Sequence, residues 1–333
     1  MIITGHAYAR AGLIGNPSDG YFGKTISFLI RNFKATVHLW ESPHFEIVPS
    51  SGDFSRFPSV AEFLRDQKLH GYYGGMRLIK AAIKKFHEHC RRNELQLPDR
   101  NFTISYEADI PRLVGLAGSS AIVTATMRAL MQFYEVQIPR HLLPSLILSA
   151  ERDELGINAG LQDRVIQVYE GIVYMDFDRE HLEKHGYGIY EPLNPPRLPP
   201  LYVAYDPARA EVSDVSHRSL RQLFDQGDPT VLGAMQRYRQ ITDIARAALM
   251  DGDWETLGRV MNENFDLRRT FMKIAPENQR MIDAARSVGA SAKFSGSGGA
   301  IVGLYRDGRH YQQISDALAA IRCTVIRPMI FES

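Results

Sequence analysis

A proline-rich stretch, EPLNPPRLPP at residues 191–200, divides the chain. It has five prolines in ten residues. Proline has no N–H to donate, and it disfavours helix in the residue before it. Regular hydrogen bonding therefore stops here, and strands and helices must lie on either side. We predict a domain boundary at this point, with an N-terminal domain of residues 1–195 and a C-terminal domain of residues 196–333.

Strand and helix patterns alternate on both sides of this boundary. TISFLI and ATVHLW, separated by residues 31–34, predict a β-hairpin near the start. GYYGGMRLIKAAIKKFHEHCRRN has apolar residues at three- and four-residue intervals, which predicts an amphipathic helix. In the second half, helical patterns cover residues 217–250, 253–273 and 275–288. Because no βαβ repeat of constant length occurs, we predict an α+β fold in both halves.

Composition narrows the possible partners. The chain of 333 residues is 44% hydrophobic and has a formal net charge of +1, as expected of a globular protein. It has no block of Lys or Arg, so we expect neither nucleic acid nor a membrane as partner. Two distant cysteines, no apolar run near the roughly 20 residues of a membrane span, and no apparent secretory signal favour a cytoplasmic location.

A glycine- and serine-rich stretch, PRLVGLAGSSAIV at residues 111–123, lies between a predicted strand and a predicted helix. The free N–H groups at a helix N-terminus bind anions, and glycine lets the backbone approach a phosphate closely. Serine hydroxyls can contact phosphate oxygens or Mg²⁺. A serine-capped turn explains the same residues equally well.

Two further glycine-rich stretches are ambiguous by themselves. KFSGSGGAIVG at residues 293–303 precedes strand-like sequence, where a dinucleotide site needs a helix. ARAGLIGNPSDG at residues 9–20 has the composition of a tight turn. Each stretch could bring backbone close to a ligand, and each could be an ordinary loop.

Together and in this order, the three stretches resemble the motifs of the GHMP kinases. ARAGLIGNPSD is similar to the first motif, PRLVGLAGSSA to the second with one extra residue at Ala117-Gly118, and KFSGSGGAIVG to the third. GNPSDGYFGKTIS, SAERDELG and AGLQDRV also resemble the plant-type glucuronokinase subgroup. The resemblance covers about residues 6–305.

This resemblance implies a two-domain fold, with an N-terminal half like the second domain of ribosomal protein S5 and a ferredoxin-like C-terminal half. It implies ATP and Mg²⁺ as cofactors and a sugar acid as substrate. Asp163 is the implied catalytic base, with Arg10 beside it, and Ser120 and Glu151 are the implied magnesium ligands, Glu154 being the alternative to Glu151. The implied nucleotide-binding residues are Pro111, Gly115, Leu116, Ala117, Gly118, Ser119, Ser120 and Ala121.

The resemblance also implies that Asp19 binds sugar hydroxyls. A uronic acid needs a cation for its carboxylate, and arginine has the best geometry for it. The candidates are Lys24, His217, Arg221, Arg268 and Arg269, and the sequence does not choose among them. Further expected substrate-binding residues are Tyr72, Gly74, Gly75, Gly296, Ser297 and Gly298.

The implied reaction is the transfer of phosphate from ATP to D-glucuronate, giving D-glucuronate 1-phosphate and ADP. Two alternatives stay open at the level of sequence. One is another sugar 1-kinase of the same family, acting on galacturonate, galactose or a heptose. The other is a family member that binds its ligand without phosphorylating it.

Overall fold

The computed structural model describes residues 1–50, 53, 74–207 and 214–331, with side chains from residue 220 onward in the last range. Its strands form two sheets that do not share a strand. The larger sheet has the order β3-β4-β2-β5-β6, with β1 paired to β2, and all its pairs are antiparallel except β3 with β4. Its strands are β1 (Ile2–Ile14), β2 (Lys24–Glu41), β3 (Glu46–Val48), β4 (Phe102–Ala108), β5 (Ile172–Asp176) and β6 (Ile189–Pro192).

The predicted hairpin between TISFLI and ATVHLW is wrong. Both segments belong to the single long strand β2, which pairs with β1 along almost its whole length. The register with β1 shifts between Tyr8 and Ala9, so residues 31–33 form a bulge instead of a turn. A bulge bends a strand without reversing it. Consequently β2 pairs with β5 before the bulge and with β4 after it.

In the part of the chain that the structure describes, five helices accompany the larger sheet: α1 (Gly75–Arg92), α2 (Gly118–Phe133), α3 (Leu143–Arg152), α4 (Gln162–Tyr169) and α5 (Arg179–His185). The amphipathic pattern correctly predicted α1, which buries Leu78, Ile79, Ala82 and Phe86 on one face. Helix α2 packs against β1, β2 and α1 and is buried over most of its surface. Its position fixes its N-terminus, and with it the second glycine-rich stretch, at one edge of the sheet.

The smaller sheet has the order β10-β7-β9-β8 and is antiparallel throughout. The predicted helix over residues 217–250 is two helices, because Gly227 has a φ of 75° and Pro229 begins a new helix capped by the Asp228 side chain. The elements of this half are β7 (Leu201–Tyr205), α6 (Asp214–Asp225), α7 (Pro229–Asp251), α8 (Trp254–Phe271), α9 (Pro276–Ser287), β8 (Lys293–Phe294), β9 (Ala300–Leu304), α10 (Gly308–Ala319) and β10 (Thr324–Ile326).

The first two residues of the proline-rich stretch end β6, and its other eight residues connect the two sheets, since β6 ends at Pro192 and β7 begins at Leu201. Helix α7 nevertheless packs on β1 and β2 of the larger sheet. One cluster of buried hydrophobic residues includes Ile26 and Val37 from β2 together with Tyr238 and Ile241 from α7. The domain boundary between residues 195 and 196 stays a proposal. The sheets on either side of it share a cluster of buried hydrophobic residues. No helix among the described residues is long and apolar enough to span a membrane.

Candidate active site

Arg10 joins the three glycine-rich stretches. It lies in β1, within the first stretch, and is only 5% exposed. Its Nη1 donates hydrogen bonds to the carbonyl oxygen of Gly115 in the second stretch, at 2.6 Å, and to that of Ser295 in the third, at 3.2 Å. Its Nε donates to Oδ1 of Asp163 at 2.7 Å. The guanidinium group therefore connects two glycine-rich loops to a carboxylate.

The two glycine-rich loops touch through their backbones, which requires glycine at the contact. Gly115 has a φ of 73°, and a Cβ there would lie 2.7 Å from the carbonyl oxygen of Gly298. A Cβ at Gly296 would lie 2.6 Å from the carbonyl oxygen of Gly115. Side chains at these positions would force the loops apart.

The additional residue in the second stretch is accommodated at the start of α2. Ala117 has a φ of 64°, in the left-handed region, and immediately precedes the helix. Its carbonyl oxygen accepts hydrogen bonds from Ala121 N, Ser120 Oγ and Gln167 Nε2 at 3.0–3.1 Å. The turn is thus held by side chains from both α2 and α4.

The two serines of this stretch have different surroundings. Ser119 is partly exposed and lines a cleft, whereas Ser120 is fully buried with its Oγ directed to Ala117. Leu116 and Ala121 are also buried, and Pro111, Gly115 and Gly118 are partly exposed. In an α-helix the first N–H groups have no intrahelical partner. The first turn of α2 therefore presents backbone donors beside the Ser119 hydroxyl.

Asp163 and Asp19 lie together in the cleft and differ in pKa. Burial raises the pKa of Asp163, but Arg10 and Arg164 outweigh it and hold that pKa below its usual value. Burial, together with the nearby Asp163 carboxylate, raises the pKa of Asp19 to about 6. Gly160 leaves room for Asp19, because a Cβ there would lie 2.0 Å from Asp19 Oδ2. Of these two carboxylates, Asp163 is therefore ionised at neutral pH, and Asp19 takes up a proton near pH 6.

Glu151 is fully buried and paired with Arg164. Its Oε2 accepts hydrogen bonds from Nε of Arg164, at 2.8 Å, and from Nη2 of the same residue. Its Oε1 is buried without a hydrogen-bond partner in the described part of the chain. Nη1 of Arg164 donates to the Gly160 carbonyl at 3.0 Å and lies 3.5 Å from Oδ2 of Asp163. Arg164 thus connects the implied magnesium carboxylate with the implied catalytic base.

The cleft has a volume of about 500 Å³ and lies over these groups. Seven of the residues expected from the sequence line it, namely Arg10, Asp19, Ser119, Asp163, Arg221, Gly296 and Ser297. Neither Ser120 nor Glu151 lines it. Tyr21, Phe22, Arg152 and Arg164 also line the cleft, although the motifs that contain them predicted no role for these four residues.

Several expected substrate-binding residues lie elsewhere. Lys24 does not line the cleft, because its Nζ binds both carboxylate oxygens of Asp243, at 2.8 and 3.0 Å, and lies 3.6 Å from Asp176. Arg269 is exposed on α8, also away from the cleft lining. Both positions argue against the expected carboxylate contact. Tyr72 is outside the described residues, as is the side chain of His217.

Gly74 and Gly75 form the start of α1 and likewise do not line this cleft. Gly75 N donates to Oδ1 of Asp53 at 3.1 Å, and the Tyr106 hydroxyl donates to the same oxygen at 2.7 Å. A Cβ at Gly75 would collide with the Tyr106 hydroxyl. These contacts give Gly75 a packing role, while any ligand contact in this region stays a prediction.

The third glycine-rich stretch is held by two buried cations. Arg268 donates to the carbonyl oxygens of Gly296, at 2.8 Å, and Ser297, at 3.0 Å. Lys293 donates to Gly12 O, Asn16 Oδ1 and Phe294 O at 2.6–2.7 Å, and burial lowers its pKa well below the ordinary value. In the sequence of this stretch, only its first residue, Lys293, indicates that buried basic side chains hold the loop.

Comparison with known proteins identifies the family. The model for the GHMP kinases N terminal domain matches residues 77–171, and that for GHMP kinases C terminal matches residues 245–322. Glucuronokinase 1 of Arabidopsis thaliana is 44% identical over 309 residues, covering 90% of this chain and 84% of that protein. The chain belongs to the GHMP kinase family. Probable glucuronokinase 2 of the same plant is 45% identical over 303 residues, with 89% and 82% covered.

A Lin0012 protein from Listeria innocua has the same fold, with a TM-score of 0.80 over 99% of this chain and 98% of its own, at 15% identity. The predicted family, the α+β fold of the GHMP kinases and the phosphotransferase class are therefore confirmed. The roles of individual site residues, by contrast, stay predictions.

Proposed function

We propose that this GHMP kinase is a glucuronokinase, transferring phosphate from ATP to the C1 hydroxyl of D-glucuronate. The observation that carries the proposal is the Arg10–Asp163 pair, held by both glycine-rich loops inside one cleft. The identity of 44–45% to the two Arabidopsis proteins supports the choice of substrate. The cytoplasmic location expected from the sequence stays a prediction.

The triphosphate of ATP is proposed to bind at the N-terminus of α2, where backbone N–H groups and the Ser119 hydroxyl meet the cleft. Charge builds up on the transferred phosphoryl group during the reaction, and a fixed cation stabilises it. Arg10 is the cation that both loops orient. Because Arg10 is hydrogen-bonded to Asp163, the residue proposed to contact the phosphoryl group is held next to the residue proposed to contact the acceptor hydroxyl.

Asp163 is proposed to orient the acceptor hydroxyl and accept its proton as the new P–O bond forms. Its lowered pKa keeps it ionised at neutral pH, so it can accept a hydrogen bond from the hydroxyl throughout the working range. Asp19, which lines the same cleft, is proposed to bind other sugar hydroxyls. Gly296 and Ser297 complete this part of the cleft.

Glu151 is the carboxylate that the family implies for magnesium, although it is paired with Arg164 and does not line the cleft. Its buried Oε1 has no hydrogen-bond partner among the described residues, and Mg²⁺ takes hard oxygen ligands of this kind. Ser120 would have to release its bond to Ala117 O before its Oγ could serve. When bound, the ion would neutralise phosphate charge, and Glu151 would have to gain access to the cleft to hold it.

A substrate panel tests the proposal. Purified protein is supplied with ATP and Mg²⁺ and with glucuronate, galacturonate, galactose, glucose or a heptose, and ADP release is measured. We expect the highest kcat/KM for glucuronate, with a product that NMR identifies as the 1-phosphate. Turnover of galactose without turnover of glucuronate would contradict the substrate, and ligand binding without ADP release from any sugar would contradict a kinase.

The role of Asp163 is tested by Asp163→Asn, which keeps the shape of the side chain and removes its charge. We expect kcat to fall by about a hundredfold to ten-thousandfold, the usual contribution of a positioned general base. The KM for ATP should change little, since Asp163 is assigned to the sugar hydroxyl. Unchanged turnover would show that the assigned role is wrong.

A further inference from the structure

The arginines that line the cleft differ in how many of their hydrogen-bond donors are free. This difference bears on which of them could bind the carboxylate of an acidic sugar. Among the described residues, four arginines and three carboxylates line it, namely Arg10, Arg152, Arg164 and Arg221 with Asp19, Asp163 and Glu183. A substrate carboxylate entering among three acidic groups needs a cation whose donors are free. The four arginines differ in this respect.

Arg164 has donors on all three of its nitrogens engaged, and Arg10 has only Nη2 without a hydrogen-bond partner among the described residues. Arg10 uses Nε on Asp163 and Nη1 on two backbone carbonyls. Arg164 uses Nε and Nη2 on Glu151 and Nη1 on the Gly160 carbonyl. Both also lie within 3.5 Å of Asp163. The C6 carboxylate of a uronate is carried by C5, which the ring oxygen separates from the reacting C1, so it needs a cation other than Arg10 and Arg164, which are already bound to Asp163 and Glu151.

Arg152 and Arg221 keep a free guanidinium end. Arg221 donates through Nε alone to both carboxylate oxygens of Asp225, at 2.9 and 3.0 Å. Arg152 donates through Nε to Asp153 at 2.9 Å. Neither Nη atom of either arginine has a hydrogen-bond partner among the described residues. Two parallel N–H donors in one plane match the two oxygens of a carboxylate.

Position distinguishes these two arginines. Arg152 directly follows Glu151 at the end of α3, on the side of the implied magnesium carboxylate. Arg221 is on α6, whose Phe224 ring packs against Tyr21 at 5.0 Å and lies 6.4 Å from Phe22. Tyr21 belongs to the same short 3-10 helix, Ser18–Tyr21, as Asp19. Arg221 therefore lies on the sugar side of the cleft.

The electrostatics of Tyr21 agree with this placement. Burial and the Asp19 carboxylate raise its pKa to about 12, while Arg221 opposes the rise. The Tyr21 hydroxyl is thus within electrostatic reach of both Asp19 and Arg221. A ligand that Asp19 holds by its hydroxyls would extend toward the Arg221 guanidinium.

Building on the proposed function, we infer that Arg221 binds the C6 carboxylate of the substrate and sets the preference for a uronate over a neutral hexose. The pair with Asp225 keeps the side chain extended from α6 and leaves both Nη atoms for the substrate. Substrate binding would then complete an Asp225–Arg221–carboxylate triad.

Steady-state kinetics on glucuronate and on glucose test this assignment in the full-length protein. Arg221→Gln is expected to raise KM for glucuronate by about tenfold to a hundredfold, the usual effect of losing hydrogen bonds to a charged group. The kcat should stay within a few-fold, because the contact is the same before and during phosphoryl transfer. The KM for glucose should not rise in Arg221→Gln. The KM of Arg221→Lys for glucuronate should lie between those of the wild type and Arg221→Gln. The matched control is Arg280→Gln, an exposed arginine paired with Glu277 on α9, away from the cleft, and it should leave both substrates unaffected.

Two further variants make the assignment refutable. If Arg221→Gln acted only by leaving Asp225 uncompensated, the double variant Arg221→Gln/Asp225→Asn would regain the wild-type KM, which would overturn the inference. The same selective loss in Arg152→Gln, with Arg221→Gln unchanged, would move the carboxylate contact to α3. Failure of the wild type to phosphorylate glucuronate would instead refute the proposed function and the carboxylate site with it, whereas wild-type turnover with an unaltered Arg221→Gln would refute the carboxylate site alone.

Discussion

Arg10 is an arginine in the middle of a buried strand, so its charge has to be neutralised and its donors satisfied at once. Asp163 does the first, and the carbonyl oxygens of Gly115 and Ser295 help with the second. A lysine could not replace it, because one ammonium group lacks the planar arrangement that reaches three separate partners. The resemblance placed Arg10 beside Asp163, but the two carbonyl partners follow only from the folded backbone.

Arg164 makes a contact that could not be predicted from the sequence. It stands next to Asp163 in the chain, and its Nη1 lies 3.5 Å from Oδ2 of that aspartate. Its main partner is instead Glu151, 13 positions earlier, on a different helix. Only the packing of α3 on α4 brings the two together, and no local pattern encodes it.

The pKa of Asp19 predicts a pH dependence. Because that pKa is about 6, Asp19 takes up a proton as the pH falls through this value and loses one acceptor for sugar hydroxyls. We expect kcat/KM for the sugar to fall below about pH 6, while Asp163 stays ionised. Measurement from about pH 5 to about pH 8 checks this.

Asp19→Asn is the companion variant, and its profile should lack the step near pH 6. If the step persisted in that variant, it would belong to another group. The raised pKa also has a consequence for folding. The folded state holds this proton more tightly than the unfolded chain, so Asp19 favours folding at low pH, and that contribution is lost as the pH rises toward 6.

At the scale of elements, the sequence predicted α1, α8 and α9, failed at β2 and at the break between α6 and α7, and gave no prediction for α4. Residues 31–34 interrupt the apolar pattern of β2, as a turn would, but β1 continues beside them and keeps the strand intact. Helix α4 has only eight residues, Gln162–Tyr169, too few for a clear helical period. In both cases neighbouring elements determine the structure.

The contact between the glycine-rich loops predicts opposite effects of two glycine substitutions. Gly115→Ala places a methyl group 2.7 Å from Gly298 O in a left-handed backbone, so we expect a loss of about 1–3 kcal/mol in the free energy of unfolding. Gly233→Ala is the control, because Gly233 lies on the exposed face of α7 with open space around it. It should stabilise by about 0.5–1 kcal/mol. Urea titration of both variants decides the matter, and equal stability would contradict the tight contact.

The link between α3 and α4 predicts a second difference in stability. Glu151→Gln leaves the Arg164 charge buried without its partner, and we expect a loss of about 3–5 kcal/mol in the free energy of unfolding. Glu154→Gln is the comparison on the next turn of the chain. Glu154 pairs with Lys84 and Lys85 near the surface, at 2.6 and 3.0 Å, so its loss should matter little. Thermal or urea unfolding that ranked the two variants the other way would refute the buried pair.

At the scale of the whole molecule, the chain passes from one sheet to the other at the proline-rich stretch, as predicted. One cluster of buried hydrophobic residues, however, includes residues of both halves. Helix α7 covers β2 of the other half, and Lys24 reaches across to Asp243. The change of sheet could be predicted from the sequence because proline restricts the backbone of its own residue and of the residue before it. The shared core could not be predicted in this way, since it depends on which surfaces meet after folding.

This shared core predicts cooperative unfolding. We expect a single urea transition in which far-UV and near-UV circular dichroism change together, because α7 cannot leave β2 without exposing Tyr238 and Ile241. Two separated transitions would show that residues 1–195 and 196–333 are stable independently. A fragment of residues 1–195 should accordingly be unfolded or aggregate when produced alone.

The contacts of Arg10 with the loops also bear on how this chain tolerates change over evolutionary time. Arg10 holds both loops by main-chain oxygens, which every amino acid supplies. Apart from the glycines at the contact, Gly115 and Gly296, loop side chains can therefore be exchanged without breaking either bond, and even a residue such as Ala117 can be inserted after the contact point. The constraint falls on these glycines, on the path of the backbone and on a single arginine, so other loop positions are free to adapt the cleft to new acceptors.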